Sequence, residues 1–571
     1  MATPKELFLE LLKPDGKPER QLIQYEALEF ALPDPIMLYL GANRRPGVTA
    51  PDLWGTVIMW EEGAPGPTPL ITEENKVCPD ITRWREFVHA PDIKTNCSEG
   101  WEQWAGAVRA RAGEEKLVTA FMATGMFEQC HFLMGFEDTL ANFYEHPDQM
   151  HELIDYITDY RIEYAKMLID GLQPDVIFSH DDWGTKDALF VKPEMWREFF
   201  KEPYRRLYGY IRSRGVHVVH HADSYLAPIV EDMAEIGIEC WQGVLPENDI
   251  PALQEKLAGR MALMGGIGAA IDRPDATEEE VRSYVRNVLE TCCPGGHFIP
   301  SITYGLAGTI YPHVDPIINS EIEKYNREPH LAARKAAPVV RRRTAAAAPA
   351  AAAAESPSVS SDVFRQLADA LCRGQKKHVL RLTEEALAAG TAAQDILAKG
   401  LIVGMDALGA DFSAGKVFVP ELLMAGRCIS AAMEVLKPHL TDVAAEKIGR
   451  ACIGTVAGDM HDIGKNLVKI MLEGAGIEVI DLGVGVTAED FVATAEEQSC
   501  DLIACSSLLT TTMAEMAAVV KEAEAAGIRD RVKIIVGGAP ITEEFAKSIG
   551  ADGYSPDAGQ AAKLAVQLLR K

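Results

Sequence analysis

At 571 residues the chain exceeds what one hydrophobic core holds, and about three domains are expected. With 47% hydrophobic and 25% charged residues it reads as globular, which sets aside disordered and fibrous classes. A net charge of −28 argues against nucleic acid and anionic membrane surfaces as partners.

The N-terminal stretch MATPKELFLELLKPDGKPER is amphipathic without a signal core, and no apolar run reaches membrane-spanning length. Eleven cysteines occur singly apart from Cys292-Cys293, which predicts reduced thiols and a cytoplasmic location. Short apolar runs at 35–40, 118–122, 175–179, 216–220, 238–241, 261–264 and 297–302 read as strands. Helical patterns lie between them at 147–168, 193–212, 250–257 and 278–291. So many β-α units predict a (β/α)8 barrel over residues 1–334. Polar residues collect at the strand ends in Ser179-His180-Asp181-Asp182, His220-His221-Ala222-Asp223 and Ser301-Ile302-Thr303-Tyr304, the end where such barrels place their chemistry.

Residues 335–360 are Ala, Pro and Ser with a basic knot, a composition that forms no core and predicts a flexible tether. Residues 361–445 carry only helical periodicity and predict a small bundle. Residues 446–571 return to β-α alternation, with strands at 450–456, 478–481, 502–506 and 533–536. That is a doubly wound parallel α/β domain, with ligands expected beyond the strand C-terminal ends.

This last domain contains Gly458-Asp459-Met460-His461-Asp462-Ile463-Gly464-Lys465-Asn466, read as D-x-H-x-x-G. A histidine on a strand-to-helix loop, two residues after a carboxylate, suits a metal ligand whose second ring nitrogen is held by that carboxylate. Gly464 permits close approach to the backbone. Ser507-Leu508-Leu509 and Gly537-Gly538 follow in order. Together the three stretches resemble the cobalamin-binding domain of methionine synthase and of the corrinoid proteins of anaerobic methyl transfer.

The resemblance implies that His461 coordinates cobalt in place of the cofactor's own dimethylbenzimidazole and that Asp459 hydrogen-bonds the imidazole. Asp462 and Gly464 complete the loop. Ser507, Leu509 and Thr511 line the path of the displaced nucleotide tail, and Gly537 and Gly538 leave room for it. The family's third relay serine falls near Met513, where a neighbouring threonine is the expected substitute. The bundle carries Gly415-Lys416-Val417-Phe418-Val419-Pro420-Glu421-Leu422-Leu423, similar to the helical cap of these proteins. Phe418 and Leu422 are expected over the upper corrin face, while ordinary helix core is the plain alternative. The cap selects methyl transfer over radical rearrangement.

The first 330 residues resemble the uroporphyrinogen decarboxylase superfamily through Asp52-Leu53-Trp54-Gly55, Ser179–Thr185, Val219–Asp223, Met264–Ile267 and Gly295–Pro300. Its corrinoid branch includes the methylcobamide:coenzyme M methyltransferases and a chloromethane methyltransferase fused to a corrinoid domain. The coenzyme M enzymes hold zinc through H-x-C and a distant cysteine. Here the first pair reads His221-Ala222-Asp223 and the distant neighbourhood holds Ser301, so both cysteines are absent. His221, Asp223 and His220 remain as possible zinc holders, since Asp is an acceptable ligand. Without a thiolate the direction from methyl donor to Co(I) is favoured, with the His/Asp cluster as general acid. Asp181 and Asp182 are further catalytic candidates, against an N-cap or a hydrogen-bonded loop.

The expected function is transfer of a methyl group from a small donor (methyl ether, methylamine or methyl halide) to Co(I) of a corrinoid on the same chain. The alternatives are a corrinoid carrier or sensor with a degenerate barrel, and a methylcobamide-to-thiol or methylcobamide-to-folate methyltransferase. Expected partners are the methyl donor, a separate methyl-acceptor methyltransferase or a tetrahydrofolate or thiol acceptor, and a corrinoid-reactivating protein.

Overall fold

The computed structural model describes the chain except residues 1, 61–66, 98, 305–309, 329–358, 414–415, 437–438, 440–447, 460–462, 508–511, 539–540, 556–557 and 571. It divides into two compact units, Met1–Ala347 and Ala348–Lys571. The greater part of the expected tether, together with Gly415, His461, Asp462, Leu509 and Thr511, lies outside the described residues.

In the first unit seven strands form one parallel sheet: β1 (Leu28–Ala31), β5 (Leu117–Met122), β6 (Val176–His180), β7 (His217–His221), β8 (Cys240–Val244), β9 (Ala262–Ile267) and β10 (Phe298–Ile302). Each pairs with the next in sequence, with helices between, as a (β/α)8 barrel requires. Seven strands rather than eight are present among the described residues, and at the end of β10 the Ile302 backbone N–H donates to Gln24 Oε1 in the segment ahead of β1. A small antiparallel sheet of β2 (Val48–Pro51), β3 (Val57–Trp60) and β4 (Thr68–Pro69) is inserted after β1.

One expected strand is a helix. Residues Pro35–Leu40 follow Asp34, whose carboxylate accepts from the Ile36 and Met37 amides at 2.7 and 2.9 Å, and Pro35 opens the first turn. Asp at the cap followed by Pro is a helix-start signal, and it overrides the apolar run.

Along β6 and β7 alternate residues face opposite sides. Phe178 and His180 face the barrel interior with Val219 and His221, while Ser179 and His220 face the surrounding helices. Phe30, Phe121 and Phe178 build an aromatic floor, with ring centroids 5.3 and 6.0 Å from Phe178. Phe178 is fully buried, which contributes roughly 1.5–3 kcal/mol, and the half-buried Phe30 and Phe121 contribute less. A one-residue slip would exchange the faces, so this floor fixes which histidine reaches the barrel mouth.

The second unit has helices Val359–Cys372, Lys376–Ala388, Ile402–Ser413 and Val419–Leu436, then a five-stranded parallel sheet. Its strands are β11 (Arg450–Thr455), β12 (Glu478–Asp481), β13 (Leu502–Ser506), β14 (Lys533–Gly537) and β15 (Gly553–Ser555), in the order β12-β11-β13-β14-β15. The central strands are buried and apolar, packed against Phe491, Met516 and Val520. The order reverses at β11, which places the ligand crevice beyond the C-terminal ends of β11 and β13. The F-x-P-E-L sequence begins a helix: Pro420 lies in its first turn and Glu421 accepts the Phe418 amide at 2.9 Å.

Candidate active site and corrinoid-binding edge

The barrel mouth gathers His180 from the end of β6, His221 from the end of β7 and Asp182 from the loop after β6. One ligand-capable atom of each lies within 4.8 Å of the others. The two imidazoles stack at 4.9 Å and 14°, a consequence of the register that pairs His180 with His221. Glu128, in the helix Met126–Met134 after β5, meets His180 Nδ1 at 2.9 Å. His180 Nε2 lies 3.9 Å from Asp182 Oδ2. His221 Nδ1 bonds Gln242 Oε1 from β8. Asp182 Oδ1 accepts from the Asp223 amide at 3.2 Å and from Ser224 Oγ at 3.3 Å.

The electrostatics of this group are unequal. Burial works against charge on His180, but Glu128 and Asp182 outweigh it and raise the group to about 10. Burial, then repulsion from His180, lowers His221 to about 3. Burial raises Asp182 to about 6 against the pull of His180. Burial and the Asp182 charge raise Asp223 well above the carboxylate range. For Glu128 the His180 charge outweighs burial, and its pKa is lowered. At neutral pH the mouth thus holds an imidazolium–carboxylate pair beside a neutral imidazole.

Three expectations change. Asp181 is not at the mouth: it is fully buried and accepts from Phe127 N at 3.0 Å, Glu128 N at 2.9 Å, Trp183 Nε1 at 2.9 Å and Tyr204 OH at 2.5 Å. It caps the helix after β5, because the helix begins at Gly125, which has no side chain to do so. Burial and the Glu128 charge push it up to about 7. His220 faces away from the mouth by strand alternation. It stacks on Trp183 at 4.2 Å, bonds Tyr208 OH at 2.8 Å, and burial keeps it neutral. Asp223 turns its amide to Asp182 and is not in the ligand-capable group, whose members are His180, Asp182 and His221.

His180, Glu128 and Gln242 were not singled out from sequence. For His180 a signal existed, since it is two residues from Phe178 and shares the interior face. Elsewhere in the barrel, burial lowers His131 to about 4, and Tyr304 bonds Asp272.

In the second unit the C-terminal ends of β11, β13 and β14 lie side by side, with Thr455 level with Ser506 and Ser506 level with Gly537. Asp459, fully buried, accepts from Thr512 Oγ1 at 3.1 Å and from Ser507 Oγ at 3.3 Å, and the two hydroxyls are 2.8 Å apart. Thr512, the residue before Met513, thus bonds both Asp459 and Ser507. Gly538 has φ +134°, and a Cβ there would stand 1.8 Å from the Ser507 carbonyl oxygen. A Cβ on Gly537 would approach Ser555 O to 3.3 Å, whereas at Gly464 it would meet nothing within 4 Å. Leu422 is buried within the bundle and Phe418 is half-buried. A buried, hydrogen-bonded carboxylate at Asp459, two residues before His461 in sequence, and open space at Gly464 fit the expected corrinoid.

Residues 449–563 match the B12 binding domain model and residues 363–437 match a second B12 binding domain model. Residues 98–316 match the uroporphyrinogen decarboxylase model. The chain thus joins a uroporphyrinogen decarboxylase-type barrel to a B12-binding module, a combination that indicates corrinoid-dependent methyl transfer. The dimethylamine corrinoid protein 3 of Methanosarcina acetivorans is 40% identical over 36% of this chain and 97% of its own length. The trimethylamine corrinoid protein 1 of the same organism is 39% identical over 34% of this chain and 92% of its own. Through this segment the chain belongs to the corrinoid-protein family, and its cofactor is a cobalamin or related corrinoid. The solved methanol:cobalamin methyltransferase complex of Methanosarcina barkeri is 26% identical, covering 37% of this chain and 80% of that one, with a TM-score of 0.34. No helix among the described residues is long and apolar enough to cross a membrane.

Proposed function

We propose that the protein transfers a methyl group from a small methyl ether, methylamine or methyl halide to the Co(I) corrinoid carried on its own C-terminal module. The observation that carries this reading is the joining, in one chain, of a B12-binding module to a barrel whose mouth presents His180, Asp182 and His221. The corrinoid, when bound, supplies a cobalt nucleophile.

In the second unit His461 is the proposed cobalt ligand. Asp459, steadied by Ser507 and Thr512, accepts the imidazole N–H and keeps the other nitrogen free to ligate. Leu509, Thr511 and Gly537 line the path for the nucleotide tail, Gly464 and Asp462 complete the loop that the cofactor approaches, and Gly538 makes room for the Ser507 carbonyl. Phe418 and Leu422 exclude water from the upper corrin face. The proposed boundaries are 1–334 for the barrel, 335–360 for the tether, 361–445 for the cap and 446–571 for the cobalamin-binding domain. A flexible tether would hold cofactor and barrel at an effective concentration of about a millimolar.

At the barrel mouth the phenyl floor excludes water below the site, while His180, Asp182 and His221 face the donor's leaving atom. Asp223 lies behind Asp182 and modulates its charge. A separate acceptor methyltransferase, tetrahydrofolate or a thiol then takes the methyl group, and a reactivating protein restores Co(I). The test is to reduce the cobalamin-loaded full chain to Co(I) and offer methylamines, methyl ethers and methyl halides in turn. A donor-dependent loss of the Co(I) absorption band is expected. Its absence with every donor would contradict the proposal and favour a carrier or sensor.

A further inference from the structure

We infer that the barrel mouth is a zinc site of unusual composition, with His180 Nε2, His221 Nε2 and Asp182 Oδ2 as its protein ligands and the remaining coordination open to substrate. The argument begins with Gln242. Its amide nitrogen donates to the Ile302 carbonyl at 3.3 Å and meets Tyr25 OH at 2.9 Å. A carbonyl only accepts, so the amide orientation is fixed and the oxygen must face His221. His221 therefore carries its proton on Nδ1, and Nε2 presents a lone pair.

His180 is held in the same way, with Nδ1 2.9 Å from the Glu128 carboxylate, and an ion would take the place of the proton on its Nε2. A carboxylate or amide oxygen behind each imidazole is how metal-binding histidines are oriented and made more basic. Asp182 is oriented in turn. Its Oδ1 is occupied by the Asp223 amide and Ser224 Oγ, which leaves Oδ2 toward His180.

The spacing suits an ion. His180 Nε2 and Asp182 Oδ2 are 3.9 Å apart, too far for a hydrogen bond. Two ligands about 2.1 Å from one tetrahedral zinc stand about 3.4 Å from each other, so closing the gap takes about half an ångström. Three protein ligands with an open position is the pattern of catalytic zinc, whereas structural sites use four. A set of two histidines and one carboxylate also accepts ferrous iron, so the test distinguishes the two.

This set departs from the thiolate-bearing one implied by the barrel's resemblance. The cysteine positions at 223 and near 301 are lost, while a second histidine and a carboxylate come from β6 and its loop. With no thiolate donating charge, the ion would be harder and would polarise an oxygen or nitrogen leaving atom. That role rests on the methyl-transfer reading; binding of the ion does not.

The experiment uses the untagged full chain, stripped with a chelator, then equilibrated with Zn2+ or with Fe2+ under anaerobic conditions. Metal is counted by mass spectrometry and the zinc environment is read by X-ray absorption. One zinc per chain is expected, with a nitrogen/oxygen shell and no sulfur. Asp182→Asn, which retains an oxygen for the Asp223 amide and Ser224, should weaken zinc at least about tenfold, and Gln242→Leu about 10–100-fold. Circular dichroism must show both variants folded, and His180→Ala gives a third reading should either fail. A stripped chain that takes up no zinc, a sulfur shell, iron bound in preference to zinc, or undiminished affinity in the folded variants would each overturn the inference. Donor-dependent loss of the Co(I) band in metal-free protein would overturn the ion's polarising role, while leaving methyl transfer intact.

Discussion

Replacing Asp181 by Asn separates a structural carboxylate from its neighbour at the mouth. Four donors point at Asp181: the amides of Phe127 and Glu128, the Trp183 indole and the Tyr204 hydroxyl. Asparagine offers one oxygen and one NH2, so at least one buried donor faces another donor and goes unpaired, at a cost of about 1–3 kcal/mol. The remaining bonds lose their charge assistance, which brings the total to about 3–5 kcal/mol. At roughly 2 °C per kcal/mol for a domain of this size, the barrel should melt about 6–10 °C lower. All eight tryptophans lie before residue 347, so intrinsic tryptophan fluorescence reports the barrel alone. Asp182→Asn retains its Oδ1 bonds and should shift the melt by less than about 2 °C. An Asp181→Asn barrel that melts within about 1 °C of the parent would refute the capping role and return Asp181 to the catalytic candidates.

Two glycines give opposite results. Gly538→Ala drives a Cβ into the Ser507 carbonyl and should prevent the second unit from folding, seen as loss of soluble, cobalamin-retaining protein. Gly464→Ala meets nothing in the chain and gains up to about 1 kcal/mol of helix propensity. It should fold normally yet retain cobalamin at least about tenfold less tightly, or close approach of the cofactor at Gly464 is wrong. Thr512→Val keeps the shape and removes the hydroxyl between Asp459 and Ser507. Urea-induced cobalamin release should require about 1.5–3 kcal/mol less, and an unchanged midpoint would contradict the network.

Much of the second unit was legible because its central strands are buried on both faces. Apolar runs marked Arg450–Thr455 and Leu502–Ser506, whereas the edge strand Glu478–Asp481 is only half-buried. The three-residue strand Gly553–Ser555 and the short antiparallel sheet at 48–69 are too brief for a periodic signal. At the barrel mouth, His221 was readable from its place after an apolar strand. Glu128 and Gln242 were not, because they reach the cluster from the helix after β5 and from β8, and only the barrel fold brings them together. Asp181 and Asp182 are adjacent in sequence but lie in different surroundings, one under a helix end and one at the opening. Composition does not register that difference. Thr512 was one of three consecutive threonines, and packing against Asp459 distinguished it.

The most direct test of the account is single-turnover methylation of the chain's own reduced corrinoid, followed optically over a roughly hundredfold dilution of the protein with the donor held constant. Barrel and cofactor acting within one molecule predict a rate per cobalt that does not change. A rate falling in proportion to protein concentration, or a Co(I) spectrum that no donor alters, would contradict it.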